Sequence, residues 1–164
     1  LLDTALRRRF KFIEMMPDSE LLSHWNVDKL TSGDRTLDVK KMLDTINQRI
    51  EFLMDREHTI GHAFFRELKD DLSLDTLKGV FKRKVIPLLQ EYFYEDGFSI
   101  QLVLGDNNKS SNDYRFYQDI TPDKKLFKGY QNVRENKSYI LNEDAVDHSE
   151  SYIEIYESAG DDDQ

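Results

Sequence analysis

Three consecutive arginines near the start of the chain, Arg7, Arg8 and Arg9, form its most cationic point. A guanidinium is suited to gripping phosphate oxygens in a planar two-point contact, and three of them at one helix end cannot all pair with local acids. Arginines also serve as solvated charges at a helix C-terminus, where the dipole is negative. The run therefore predicts either a phosphate contact or a helix-end cap, and the residue types leave both open.

A second candidate lies in the stretch Glu57-His58-Thr59-Ile60-Gly61-His62. Its two histidines have the spacing that places both imidazoles on one helix face. A zinc-protease helix needs a glutamate directly after the first histidine, and Thr59 stands there, so we predict no metal site. Gly61 instead indicates a helix N-terminus that a ligand can approach closely and where free N–H groups favour an anion. The alternative is a helix-breaking glycine followed by a capping histidine.

Several kinds of chemistry are excluded by what the sequence lacks. It has no cysteine, no phosphate loop of the form G-x-x-x-x-G-K-[ST] and no G-x-S-x-G elbow. No apolar run approaches the ~20 residues of a membrane span, and the first residues lack a signal-peptide pattern. These features predict a cytoplasmic protein with no membrane partner. Because the first residue is Leu1, we expect a piece of a longer protein.

The net charge of −9 comes from 23 basic and 32 acidic residues and argues weakly against a surface that coats nucleic acid. The charge is unevenly distributed, because nine acidic residues and no lysine or arginine lie from residue 143 to residue 164. The rest of the chain is therefore neutral overall. The negative charge marks an acidic end of the chain and does not oppose a phosphate contact by the arginines.

Hydrophobic periodicity predicts the elements that must position these residues. We expect a helix over residues 2–9, a strand over 10–14, a short helix over 19–25 and a loop over 26–35. The clearest element is an amphipathic helix of about five turns, at ~3.6 residues each. Its apolar stripe consists of Val39, Leu43, Ile46, Ile50 and Leu53.

Beyond Gly61 the helix is predicted to restart over residues 62–68. Ser73 caps a further helix, with a kink or restart at Pro87, an end near Tyr94 and a closing Gly97. Alternation predicts a strand over 98–104 followed by a turn, and short strands over 114–117 and 138–141. Residues 151–156 fit a strand or a helix, and 160–164 should be disordered. The predicted fold class is mostly α with small β elements (α+β).

Three stretches taken together resemble the C-terminal part of the McrB family, AAA+ GTPases of methylation-dependent restriction systems. They follow the family's order and spacing, and the resemblance extends from Leu1 to about Asp106. The stretches are Leu2-Asp3-Thr4-Ala5-Leu6-Arg7-Arg8-Arg9-Phe10, Asp55-Arg56-Glu57-His58-Thr59-Ile60-Gly61-His62-Ala63-Phe64-Phe65 and Ile86-Pro87-Leu88-Leu89-Gln90-Glu91-Tyr92-Phe93-Tyr94.

The resemblance implies a division of the chain into four segments. Residues 1–16 would be the end of the AAA+ α/β core, with the arginine helix and a strand, and 17–97 the helical lid. Residues 98–157 would be a C-terminal α/β extension and 158–164 a disordered acidic tail. A stand-alone interaction module that kept a lid-like helical bundle is an alternative to this interpretation.

The resemblance also implies roles for the candidate residues. In AAA+ rings, arginines after such a helix reach into the neighbouring subunit's nucleotide site and stabilise charge on the transferred phosphoryl group. Arg8 and Arg9 are the first expectations for this role in trans, with Arg7 next. Gly61, His62 and, one turn further on, Arg66 correspond to the second sensor region, which touches nucleotide in cis.

The cofactors and partners implied by the resemblance belong to the full-length protein. They are GTP and Mg²⁺, the neighbours in a homo-oligomeric ring, a separate McrC-like nuclease subunit, and DNA bound through a variable N-terminal domain. The phosphate loop and the acidic magnesium motif are expected upstream of Leu1, so we expect this chain alone to be inactive and to hold no cofactor. The lid of an ATP-using, MoxR-like remodelling ATPase is a further alternative.

Overall fold

The computed structural model describes residues 15–120 and 138–157. The helix and strand predicted for residues 2–14, with Arg7, Arg8 and Arg9, and the tail predicted to be disordered lie outside these ranges. The first described helix, α1, spans Glu20–His24, as the sequence predicts, and buries Leu22.

A β-hairpin follows α1 where the sequence predicts a loop. Strands β1 (Lys29–Ser32) and β2 (Arg35–Asp38) pair in antiparallel fashion, with Leu30 opposite Leu37 and both side chains buried. Gly33 takes a left-handed φ of +59° in the two-residue turn. A two-residue Gly-Asp turn is a known hairpin signal, because its twist matches that of the flanking strands. The loop prediction is therefore wrong.

The amphipathic helix is present with the predicted apolar stripe. Helix α2 spans Val39–Leu53, and the side chain of its N-cap, Asp38, accepts a hydrogen bond of 2.7 Å from the backbone N–H of Lys41. Such a cap satisfies one of the free donors of the first turn. The face that α2 turns to the core consists of Val39, Met42, Leu43, Ile46 and Ile50, all buried.

Two 3₁₀ segments follow α2, over Arg56–His58 and His62–Lys69. The second stands where the sequence predicts a restarted helix, and its repeat is three residues rather than 3.6. Side chains three apart are therefore eclipsed. Phe65 and Leu68 are buried, whereas Ala63, Arg66 and Lys69 form an exposed stripe.

The next helical stretch has the cap and the restart that the sequence predicts. Helix α3 spans Leu74–Val80, and the hydroxyl of Ser73 accepts a hydrogen bond of 3.2 Å from the backbone N–H of Thr76. The chain then passes through a π-turn over Phe81–Val85 into helix α4, Ile86–Tyr92. Pro87 lies in the first turn of α4, where its missing N–H costs least.

Residues 98–104 form a helix, so the predicted strand is wrong. Helix α5 spans Gly97–Leu104, and Gly97 opens it rather than closing the helix before it. The side chain of Asp96 caps its start by accepting from the backbone N–H of Ser99 at 3.0 Å, and Gly105 ends it in the left-handed conformation. The apolar residues of α5 do not show the ~3.6-residue pattern of an amphipathic helix, because α5 is buried on several sides and has no single apolar face.

The last part of the chain adds a β-ribbon and a helix. Strand β3 (Tyr117–Ile120) pairs antiparallel with β4 (Ser138–Leu141), and helix α6 spans Ser149–Glu157. The prediction for 138–141 is confirmed, and the open choice for 151–156 resolves to helix. The strand expected over 114–117 begins only at Tyr117, because residues 112–114 form a 3₁₀ turn.

One continuous core joins all of these elements. The ring of Tyr152 on α6 packs edge-on against Phe81 at 4.8 Å and against Phe116 at 5.5 Å. The hydroxyl of Tyr156 accepts a hydrogen bond of 3.0 Å from the backbone N–H of Asp38, which ties α6 to the start of α2. The core thus runs across residue 97, the predicted lid boundary, and the four-segment division remains a prediction.

A buried ion pair lies within this core. Nζ of Lys109 is 2.8 Å from Oδ1 of Asp106, and both side chains are fully buried. Asp106 also accepts backbone hydrogen bonds from Phe116 at 3.0 Å and Tyr117 at 2.7 Å. Burial raises the pKa of Asp106, and the positive charge of Lys109 opposes this effect. The pair fixes the turn between α5 and β3.

Candidate functional site

An open pocket of about 450 Å³ lies between the segment before α1 and the two 3₁₀ segments. One wall is apolar and includes Met15, Met16 and Pro17. The other carries the polar and backbone groups of Arg56, Glu57, Thr59, Gly61, His62 and Ala63. Small-molecule sites commonly combine apolar walls with a few polar groups that fix orientation, in volumes of roughly 300–1,000 Å³.

Gly61 provides access to the backbone of this pocket. It is the N-cap residue of the second 3₁₀ segment, with an ordinary φ of −70°. A Cβ built on it has no atom within 4 Å. Neither backbone strain nor packing therefore requires glycine here. The open space lets a ligand approach the backbone more closely than a side chain would permit.

The ring of His62 lines the pocket in a fixed orientation. Its Nδ1 accepts a hydrogen bond of 3.1 Å from the backbone N–H of Asp18, and its edge packs on the ring of Trp25 at 5.5 Å between centroids. Accepting this bond requires Nδ1 to be unprotonated, so the neutral ring carries its proton on Nε2. Within the described ranges Nε2 has no hydrogen-bond partner, which leaves its N–H to a ligand.

Arg56 brings a positive charge to the pocket. Its side chain is 55% exposed, and its Nε is 3.7 Å from the carboxylate of Glu57. An exposed ion pair of this kind contributes little to stability. Sequence reasoning did not select Arg56, although it lies in the second of the three family-like stretches. The sequence feature that could have identified Arg56 is the position of an arginine in the turn before Gly61.

Arg66 does not line the pocket. It lies on the exposed stripe of the second 3₁₀ segment with Ala63 and Lys69, and it forms no ion pair with any described residue. The structure therefore brings together two of the three residues predicted for the second sensor region, Gly61 and His62. Arg7, Arg8 and Arg9 precede the described residues.

Side chains from the turn after α2 and from α4 hold the polar wall. Asp55 caps the first 3₁₀ turn by accepting from the backbone N–H of Glu57 at 2.8 Å, and its Oδ1 is 2.7 Å from Nδ1 of His58. The hydrogen bond with His58 lowers the pKa of Asp55. The His58 ring packs edge-on against Tyr92 of α4, at 4.8 Å. Arg56 is therefore carried on an anchored turn.

Asn47 of α2 binds the backbone directly before Gly61. Its Nδ2 donates to the carbonyl oxygen of Ile60 at 2.9 Å, and its Oδ1 accepts from the backbone N–H of Ile60 at 2.6 Å. The side chain of Ile60 is fully buried. The backbone N–H and the carbonyl oxygen of Ile60 are thus both satisfied by the Asn47 side chain.

The structure gives two further findings about sites. Across residues 15–120 and 138–157, no three histidine, aspartate or glutamate side chains cluster closely enough to hold a metal ion. In the same part of the chain, no helix has the length and apolar character needed to cross a membrane.

Comparison with known proteins identifies the class of this domain. Residues 38–101, from the N-cap of α2 into α5, match the model of an alpha-helical lid domain. The family is that of "McrB, alpha-helical lid domain", so residues 38–101 are similar to an McrB-family lid, and the resemblance drawn from the sequence is confirmed. The mostly α fold with small β elements is confirmed with it.

A relative from Escherichia coli (strain K12) supports the same family. The chain is 30% identical over 119 residues to the "Type IV methyl-directed restriction enzyme EcoKMcrB subunit". The match covers 65% of this chain and 26% of that subunit. The chain thus spans about a quarter of the length of the relative it matches.

Proposed function

We propose that this chain supplies the lid of an McrB-like AAA+ protein that binds and hydrolyses GTP. The observation that carries the proposal is the pocket around Gly61, His62 and Arg56, which lies beside residues 15–17, where the lid follows the predicted core segment. A nucleotide held between core and lid would contact this pocket. The lid match over residues 38–101 contains its whole polar wall.

The chemistry of the pocket suits a nucleotide. The apolar side chains of Met15 and Met16 offer a surface for a base or ribose, and the Nε2–H of His62 donates to a phosphate oxygen. Arg56 adds a guanidinium, whose planar donors pair well with phosphate. The full-length protein is proposed to bind GTP with Mg²⁺, with ATP as the alternative.

The arginines before the lid complete the proposal. Arg8 and Arg9, then Arg7, are proposed to act in trans on the nucleotide of the neighbouring subunit in a homo-oligomeric ring. Positive charge placed beside a transferred phosphoryl group stabilises the transition state. This role accounts for three adjacent arginines in a segment that is otherwise ordinary in charge.

The wider role follows from the Escherichia coli relative, which is a subunit of a methyl-directed restriction enzyme. The full-length protein is proposed to drive a separate McrC-like nuclease subunit and to bind DNA through an N-terminal domain. GTP hydrolysis by the ring would power this motor. The present chain by itself is proposed to be inactive.

Variants of the pocket residues provide the test in cis. In the full-length protein, Arg56→Ala and His62→Ala should each raise the Kd for a fluorescent GTP analogue about tenfold, the loss of one charge-assisted hydrogen bond. Arg66→Ala, on the neighbouring exposed stripe, is the matched control and should leave the Kd within about twofold. A larger effect of Arg66→Ala than of Arg56→Ala and His62→Ala would contradict the proposed pocket. Tighter binding of a fluorescent ATP analogue would make ATP, and not GTP, the nucleotide of this protein.

The trans role has a different kinetic signature. Arg8→Ala or Arg9→Ala in the full-length protein should abolish stimulated GTP hydrolysis and leave nucleotide binding nearly intact. Mixing an arginine variant with a phosphate-loop variant should restore part of the activity, since each supplies what the other lacks. Equal losses of binding and turnover would contradict a role in trans.

A further inference from the structure

We propose that Asn47 is the positioning residue of this pocket, fixing the turn that carries Gly61 and His62. The inference rests on the proposed nucleotide contact and goes beyond it by naming a residue that touches no ligand. The observation is the pair of hydrogen bonds, 2.9 Å and 2.6 Å long, between the Asn47 amide and the two backbone groups of Ile60.

The position of Ile60 gives the clamp its effect. Thr59 and Gly61, its two neighbours, both line the pocket, while the Ile60 side chain points into the core and is fully buried. Residues 59–61 have no helix or strand partner to hold them. The Asn47 amide supplies, from one side chain, the donor and the acceptor that a neighbouring strand would otherwise provide.

A second contact holds the far end of the same turn. The backbone N–H of Asp18 donates to Nδ1 of His62, so the histidine is fixed to the segment preceding α1. Asn47 fixes the turn to α2, the longest of the described helices. The polar wall is therefore set relative to both the lid and the segment that enters it. Loss of the Asn47 clamp would release the turn before His62 from α2, while the His62 ring would keep its contacts with Asp18 and Trp25.

The amide matters more than the size of the side chain. Asn47→Asp is nearly isosteric and keeps an acceptor for the Ile60 N–H, but it removes the donor and places a carboxylate beside the Ile60 carbonyl oxygen. Asn47→Ala removes both bonds. The two variants therefore separate the acceptor from the donor half of the clamp.

Arg49, also on α2, offers a matched control. Its Nη1 donates to the carbonyl oxygen of Val103 at 3.0 Å, so it too ties α2 to a distant backbone group, but on α5, away from the pocket. Arg49→Met removes a comparable long-range bond, together with a positive charge that interacts with Asp106. Any effect of Asn47 variants on the stability of α2 alone should be shared by this control.

The experiment uses the full-length protein and a fluorescent GTP analogue, with thermal melting and hydrogen exchange measured alongside. Asn47→Ala should raise the Kd about tenfold or more and abolish exchange protection of the Ile60 amide, while Asn47→Asp keeps part of that protection. Arg49→Met should lower the Tm by a similar amount with the Kd within about twofold of wild type.

Two outcomes would overturn the inference and one would overturn its basis. Equal effects of Asn47→Ala and Arg49→Met on the Kd would assign Asn47 a merely structural role. An unchanged Kd with a deprotected Ile60 amide would show that the turn does not position the ligand. If Arg56→Ala and His62→Ala leave the Kd at its wild-type value, the proposed pocket is contradicted, whatever the effect of the Asn47 variants. Should Asn47→Ala not fold, Asn47→Asp decides alone by the same comparison.

Discussion

The buried pair of Lys109 and Asp106 leads to a quantitative prediction about stability. Nζ of Lys109 lies 2.8 Å from Oδ1 of Asp106, 3.0 Å from the carbonyl oxygen of Tyr114 and 4.1 Å from the centroid of the Phe116 ring. Replacing Lys109 with Met keeps an unbranched apolar chain above that ring and removes the charge. It removes the ion-pair partner of the buried Asp106 carboxylate, and the guanidinium of Arg49 remains as a second positive charge that interacts with it.

The expected loss of unfolding free energy is about 3–5 kcal/mol at pH 7, the usual cost of removing one partner of a buried pair. Replacing both Lys109 and Asp106 should still lower the unfolding free energy, although replacing both partners of a buried ion pair is often neutral in other proteins. Asp106 also accepts from the backbone N–H groups of Phe116 and Tyr117, and orphaning a buried donor costs about 1–3 kcal/mol. Adding Asp106→Asn to Lys109→Met should therefore recover only part of the loss, since Asn removes the unpaired charge but accepts from one donor.

Urea denaturation of the wild-type chain and the variants, followed through Trp25, measures these differences. Trp25 is the only tryptophan in the chain and packs partly buried against the core, so its emission reports unfolding. A loss below about 1 kcal/mol for Lys109→Met would refute the reasoning. It would mean that the buried Asp106 carboxyl group does not depend on the charge of Lys109 for its place in the folded chain.

Three further predictions concern the same core. Burial lowers the pKa of Lys109 from 10.5 to about 8. Between these two pKa values the unfolded chain therefore binds more protons than the folded chain. The difference in unfolding free energy between wild type and Lys109→Met, taken as wild type minus variant, should rise with pH across this window by up to about 3 kcal/mol. A flat or falling difference would contradict this prediction. A Cβ on Gly97 would overlap the side chain of Tyr139 on β4, so Gly97→Ala should cost about 1–3 kcal/mol in thermal or urea unfolding. The Tyr152 hydroxyl donates to the buried carbonyl oxygen of Val146 at 2.7 Å, and Tyr152→Phe should cost about 1 kcal/mol by the same assay, without a change in the slope with urea.

Elements with one apolar face were predicted well from the sequence. Helix α2 shows why, because its buried residues recur at helical spacing and its exposed face is charged. The caps also gave reliable signals, since Ser73 starts a helix by a local contact that depends only on residue type. The resemblance to the McrB family rested on short stretches within such elements and on their order, and the match over residues 38–101 confirms it.

Elements without such contrast were predicted wrongly, and for identifiable reasons. Helix α5 buries Ile100, Gln101 and Val103, so its apolar residues surround it and alternation in the sequence is accidental. Its true signals were the local ones, the capping Asp96 and the left-handed Gly105 at its two ends. The sequence does not predict the β1–β2 hairpin, because Gly33 indicates a loop equally well, whereas in the structure it occupies the turn between two strands.

The candidate site divides in the same way between local and long-range causes. Gly61 and His62 are recognisable because a glycine before a helical segment is a local feature. The groups that orient them are not, since Asn47 and Asp18 lie 13 and 44 residues from the groups they bind. A polar residue beside an apolar helical stripe, as Asn47 is, indicates a buried partner without saying which.

The two contacts that hold the turn, from Asn47 and from Asp18, also differ in how strongly they restrict the residue type at their positions. Asn47 acts through its side chain, so only a residue with a donor and an acceptor at the same reach can replace it. Asp18 acts on His62 through its backbone N–H, which every residue except proline supplies, while its carboxylate accepts from the N–H of Glu20 at 3.0 Å. The side chain at position 18 is therefore free to change without releasing His62, whereas the amide at position 47 is not. Of the two restraints on the pocket, only the one from α2 is a constraint on residue type.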